Sequence, residues 1–96
     1  MYYVIEGVRW SQHGTISHVR WYPVRVRDDD IEHGEAELVP VIDAARACDE
    51  SEVRVYVDGG RTGSYFKMKA CPEGLEADSE PSGQPLRERL AHLPAG

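Results

Sequence analysis

The sequence predicts an α+β fold in which two β-hairpins are each followed by a helix, in the order ββαββα. Two pairs of segments with strand-like alternation of apolar residues are each joined by a glycine-containing turn, and apolar residues at helical spacing follow each pair. A chain of 96 residues, 41 % hydrophobic and 29 % charged, suits a single domain, 1–96, with one modest core. We therefore expect a four-stranded, mostly antiparallel sheet with both helices on one face.

The first hairpin is predicted from two strand patterns, Tyr2 to Trp10 and Ile16 to Arg27. Gly14 in the turn between them can adopt a positive φ. The apolar alternation changes parity around Tyr22-Pro23, which predicts a bulge or bend there.

The first helix is predicted to end at about Ala47 or Cys48, with Pro40 in its first turn, where no N–H is needed. Its apolar face consists of Leu38, Val41, Ile42 and Ala45.

The second hairpin is the clearest strand signal, because Val53, Val55 and Val57 alternate with polar residues. A glycine-rich loop over 58–63 leads to a return strand, Ser64 to Cys71, with Phe66, Met68 and Ala70 facing the core. Residues 72–85 are rich in proline, glycine and acids, which predicts a mobile loop. Leu86, Leu90 and Leu93 then predict a last short helix.

Charge is divided into blocks along the chain. The net charge is −6, yet residues 28–52 alone contain ten acids and one arginine. The strand-like segments on either side are basic. We interpret most of this pattern as solvated faces and favourable helix-end charges, with a partner-facing acidic surface as the alternative.

Aromatic residues concentrate on the first hairpin, and aromatic side chains are enriched at protein interfaces. The lead hypothesis is therefore a small acidic binding or accessory module, of bacterial or phage type, that acts through protein–protein contact. Its partner would be an unidentified protein or a second copy, as a homodimer through this hairpin or an open sheet edge. The candidate contact residues are Trp10, Trp21, Tyr22, Asp28, Asp29 and Asp30.

A weak nucleic-acid binder is the alternative hypothesis. Basic residues mixed with tyrosines on one sheet face are typical of surfaces that stack single-stranded bases, although the net negative charge opposes phosphate binding. The candidate residues are Arg25, Arg27, Arg54, Tyr56, Tyr65, Lys67 and Lys69.

No sequence motif supports a catalytic, cofactor or metal site. The four histidines and two cysteines form no CxxC or HxxxH pair, and three adjacent aspartates lack the spacing of a calcium loop. We expect a non-enzyme with no cofactor. The absence of a basic leader, a signal core or a long apolar run predicts a cytoplasmic protein with no membrane partner.

Three segments carry a resemblance to a known family. They are Tyr3 to Arg9 with Gly14 to Arg20, then Val41-Ile42-Asp43 with the valine-rich strand at Val53 to Val57, and finally Leu86 to Leu90 with Leu93-Pro94. Together they resemble the small bacterial family catalogued as domain of unknown function number 3892. The resemblance implies a similar chain length and element order, and it implies no activity and no functional residue.

Overall fold

The computed structural model describes residues 1–56, 63–72, 74–77 and 93. These residues form seven strands in one mixed sheet and one short helix, so the predicted four-stranded ββαββα arrangement is wrong. The elements are β1 (Tyr2–Trp10), β2 (Ile16–Arg27), β3 (Asp30–His33), β4 (Glu37–Pro40), α1 (Val41–Ala47), β5 (Glu52–Tyr56), β6 (Tyr65–Cys71) and β7 (Gly74–Ala77).

The strands lie in the order β3-β2-β1-β5-β6-β7, and β4 also pairs with β2. Every pair is antiparallel except β1 with β5, which run parallel. The parallel pair exists because β3, β4 and α1 carry the chain across the sheet between them. β1 therefore lies near the middle of the sheet, between β2 and β5.

The first hairpin is confirmed, with Gly14 in its turn at a φ of 82°. The bulge, however, is not at Tyr22-Pro23, where the register is regular. The register shifts instead at two other places: Glu6 of β1 is an extra residue between Ile5 and Gly7, and Ser17 of β2 is an extra residue opposite the step from Arg9 to Trp10. The sequence suggested a bulge farther along because Val24 lies on the other face of the sheet from Trp21.

The helix is shorter than its apolar spacing predicts. Leu38 lies in β4, where it pairs with Arg20 of β2, and Pro40 precedes the helix in an extended conformation with ψ near 149°. The 12-residue strand β2 is longer than β3, and β4 supplies hydrogen-bond partners to main-chain groups in the part of β2 that β3 does not reach. Only Val41–Ala47 remains helical.

The second hairpin is confirmed, since β5 and β6 pair antiparallel with Val55 opposite Phe66. Met68 is also buried as predicted, whereas Ala70 is exposed. β7 lies inside the segment expected to be a loop, 72–85. The rest of that segment after β7, most of the glycine-rich loop and the predicted last helix, apart from its Leu93, lie outside the described residues.

The main core lies between one face of the sheet and α1. Ala44 is the fully buried residue of the helix, and it packs against side chains from both hairpins. The sheet residues of this core are Ile5, Val8, Ile16, Val19, Trp21, Val53, Val55, Phe66, Met68 and Leu75. The opposite face carries most of the side chains that the sequence proposed for nucleic-acid binding.

Candidate functional site

The sheet face opposite α1 gathers aromatic and charged side chains, and we call it the tyrosine face. Strand pairing places them together, because residues directly opposite each other on neighbouring strands share a face. Tyr56 is opposite Tyr65, and Arg54 is opposite Lys67. The tyrosine face consists of Tyr2, Tyr22, Glu52, Arg54, Tyr56, Tyr65, Lys67 and Lys69.

Arg54 is the centre of the tyrosine face. Its guanidinium carbon lies 3.8 Å from the ring centroid of Tyr2 and 4.3 Å from that of Tyr65. Its Nη2 also donates a hydrogen bond of 3.0 Å to Oε2 of Glu52. Two rings and a carboxylate thus hold this cation in a position that favours stability of the sheet.

The lysines of the tyrosine face also have acidic partners. Nζ of Lys67 lies 3.4 Å from Oε1 of Glu52, and Nζ of Lys69 lies 3.5 Å from Oε1 of Glu76. The hydrogen bond from Arg54 lowers the pKa of Glu52, an effect that burial partly opposes. The carboxylate therefore stays ionised at neutral pH and offsets positive charge on this face.

Two tyrosines of this face are held in the neutral form. Burial raises the pKa of Tyr2, and the neighbouring Tyr56 raises it further. Burial likewise raises the pKa of Tyr22. These phenols therefore present uncharged rings and hydroxyls at neutral pH.

The proposed nucleic-acid residues are divided between two places. Arg54, Tyr56, Tyr65, Lys67 and Lys69 share the tyrosine face. The remaining two, both exposed, lie at the far end of β2 and alternate with the residues of that face. They are Arg25 and Arg27.

The proposed aromatic contact residues are not brought together. Trp21 is only 4 % exposed, and its ring stacks on Tyr3 at a centroid distance of 4.1 Å. Trp10 is half-buried against the main core. Tyr22 lies on the opposite face, where its ring is 5.6 Å from that of His33. Trp21 is therefore a core residue, with no surface to offer a partner.

The three aspartates of the same hypothesis lie at a hairpin that the sequence did not predict. β2 and β3 are joined by a two-residue turn, Asp28 and Asp29, and Asp30 begins β3. All three are exposed. We call residues 24–33 the hairpin arm.

The hairpin arm carries an exposed apolar pair. Val26 and Ile31 lie directly opposite each other, and they are 57 % and 61 % exposed. The signal in the sequence was weak, since Ile31 is a single apolar residue within an acidic run. An open depression of about 220 Å³ adjoins the arm, lined by Pro23, Arg25, Glu32, His33 and Gly34.

Across the described ranges, no group of three or more His, Cys, Asp or Glu side chains is arranged to hold a metal ion. In the same part of the chain, no helix is long and apolar enough to cross a membrane. The described residues define a small, mostly β protein with one mixed sheet, one short helix and an exposed edge hairpin. No family model, curated protein or solved structure matches the chain, and the resemblance to domain of unknown function number 3892 stays a prediction.

Proposed function

We propose that this protein is a non-catalytic binding module that acts through protein–protein contact, and that the hairpin arm is the contact surface. The observation that carries the proposal is the pair Val26 and Ile31, two large apolar side chains exposed opposite each other. Full burial of a wholly exposed side chain of this kind contributes about 1.5–3 kcal/mol, and Val26 and Ile31, which are 57 % and 61 % exposed, would contribute part of that amount on binding. The adjoining Asp28, Asp29 and Asp30 give the arm an acidic rim that favours a basic partner surface.

A nucleic-acid binder that uses the tyrosine face is the second candidate. It is favoured by Tyr65, which is 39 % exposed beside Lys67. It is disfavoured by electrostatics, because Arg54, Lys67 and Lys69 each have a carboxylate oxygen within 3.5 Å. Phosphate binding would have to compete with these contacts, and phosphate contacts supply most of non-specific affinity.

Site-directed photo-crosslinking in a cell lysate tests the proposal. A photoreactive residue replaces Ile31 in one variant and Ile42 in a control variant, since Ile42 is an isoleucine of α1 with a similar exposure of 56 %. We expect one cross-linked protein from position 31 and none from position 42, with no effect of nuclease. Equal cross-linking at both positions would contradict the proposal.

The same experiment separates the two candidates. A third variant carries the photoreactive residue at Tyr65. Cross-links from this position that disappear with nuclease or with moderate salt would favour the nucleic-acid candidate. Persistence of the position-31 product under both treatments favours the protein contact.

A further inference from the structure

We propose that the hairpin arm binds a basic, extended peptide segment by adding it as a new strand beside β3. This inference rests on the proposed function and names the chemistry of the partner. β3 is the outermost strand on its path through the sheet, and all four of its residues are exposed. An exposed strand edge is a template for main-chain hydrogen bonding.

The direction of the main-chain groups follows from one hydrogen bond. Gly34 N donates to Pro23 O at 2.8 Å, so the main chain of Gly34 faces β2. In an antiparallel pair the inward-facing residues alternate, so Glu32 and Asp30 also face β2. The N–H and C=O groups of Ile31 and His33 therefore point away from β2, toward an added strand.

The negative charge along the edge of β3 favours a basic partner. Residues 28–37 contain no lysine or arginine. Arg25 and Arg27 of β2 lie directly opposite Glu32 and Asp30, but in the described part of the chain no cation lies within 4.0 Å of a carboxylate of this segment. The segment contains six carboxylates: Asp28, Asp29, Asp30, Glu32, Glu35 and Glu37. A strand with basic side chains complements these charges, and an apolar residue on it can cover Ile31.

A second copy of this chain is a poorer occupant. Antiparallel self-pairing must match outward-facing residues with outward-facing residues. With Ile31 opposite Ile31, Asp30 lies opposite Glu32 of the second copy. With Ile31 opposite His33, Glu32 lies opposite Glu32. Like charges directly opposite each other destabilise a strand pair, and both of these registers contain such a pair. A register with His33 opposite His33 avoids acid pairs, but it places Ile31 opposite Glu35, which lies outside β3.

The test uses a fluorescent peptide that alternates Lys and Val over seven residues, with a matched peptide in which Glu replaces Lys. Binding is measured by anisotropy, and amide shifts of the full-length protein locate the site. We expect the basic peptide to perturb the amides of Ile31 and His33 and the acidic peptide to have no effect. Equal binding of both peptides, or no binding of either, would overturn the proposal.

Two variants at position 33 test whether the main chain of β3 hydrogen-bonds to the peptide. His33→Pro removes an outward N–H and leaves the bonds to β2 in place, whereas His33→Ala is the control that loses the same ring. We expect H33P to bind the basic peptide about tenfold more weakly than H33A. If H33P unfolds, a peptide with alternate N-methyl groups tests the reciprocal bonds in the wild-type protein, from the peptide N–H groups to the C=O groups of Ile31 and His33.

The outcomes also separate this inference from the function on which it rests. Equal binding of the basic peptide by H33P and H33A, or equal binding of the N-methylated and unmethylated peptides by the wild-type protein, overturns strand addition. If cross-linking from position 31 still identifies one protein partner, the proposed function stands and side-chain contact replaces strand addition.

Discussion

Replacing Arg54 with alanine should destabilise the protein strongly, because this side chain contacts three others on three strands. Its guanidinium is stacked against Tyr2 of β1 and Tyr65 of β6 and hydrogen-bonded to Glu52 of β5. The side chains of Arg54 and Glu52 are only 20 % and 26 % exposed, so solvent screens their contact only in part. The substitution thus removes contacts that join β5 to β1 on one side and to β6 on the other.

The magnitude follows from these contacts. A hydrogen bond to a charged group contributes about 1.5–3 kcal/mol. Each cation–π contact contributes about 0.5–1 kcal/mol at a site of this kind. Lys67, 3.4 Å from Glu52, compensates for part of the loss. We therefore expect the free energy of unfolding to fall by about 2–4 kcal/mol, which lowers Tm by roughly 10–30 °C in a domain of this size.

Urea unfolding followed by tryptophan fluorescence, to which Trp10 and the buried Trp21 both contribute, measures this change. Lys69→Ala is the matched control, because Lys69 and Glu76 form an ion pair in which both side chains are about half exposed. Such a pair contributes about 0–1 kcal/mol. If Arg54→Ala lowers the free energy of unfolding no more than this control does, the contacts of Arg54 do not stabilise the sheet. The availability of Arg54 for phosphate binding would then have to be reconsidered.

Three further predictions concern single positions. Gly34→Ala places a Cβ 2.5 Å from Cγ of Pro23, so we expect a loss of about 1–3 kcal/mol in chemical unfolding, and an unchanged stability would contradict this close contact. Asp28 has a φ of 51°, so Asp28→Gly should raise Tm by a few degrees in calorimetry, and a lower Tm would show that the turn is not strained. The lowered pKa of Glu52 means that the stability it contributes is present above the unfolded pKa of about 4.3 and is lost as the pH falls through the folded pKa. Urea titrations at pH 7 and pH 3 should therefore show a smaller difference for Glu52→Gln than for wild type, and an equal difference would refute the linkage.

Local signals were sufficient to predict both hairpins. The turn at Gly14 and the alternating valines of β5 define strands through nearest neighbours in sequence, and the structure contains both. The burial of Phe66 and Met68 follows from the same alternation.

The short strands were not predictable in the same way. β3, β4 and β7 have four residues each, the shortest length at which an alternating pattern can be recognised. Ile31 lies among acids, and Leu38 fits the helical spacing of the residues that follow it. These segments are strands because a neighbouring strand offers them main-chain partners, and that information is not local.

The same limit applies to the candidate sites. The sequence placed Tyr56, Tyr65, Arg54 and Lys67 correctly on one face, since strict alternation decides this. The sequence could not indicate that Glu52 and two tyrosine rings contact the guanidinium of Arg54. The ring of Tyr2 reaches Arg54 only because β1 pairs in parallel with β5. Nor could the sequence assign Trp21 to the core in preference to an interface.

The parallel pairing also governs how the chain can fold during its synthesis. β1 obtains its first neighbour from the adjacent strand, but Tyr2 meets Glu52 only after fifty further positions have been made. At about 5–20 residues per second, the ribosome needs roughly 3–10 s to supply this second neighbour. During that interval one side of the central strand is open to incorrect pairing with other nascent chains. Slower elongation before β5 should therefore increase aggregation, although the finished protein is the same.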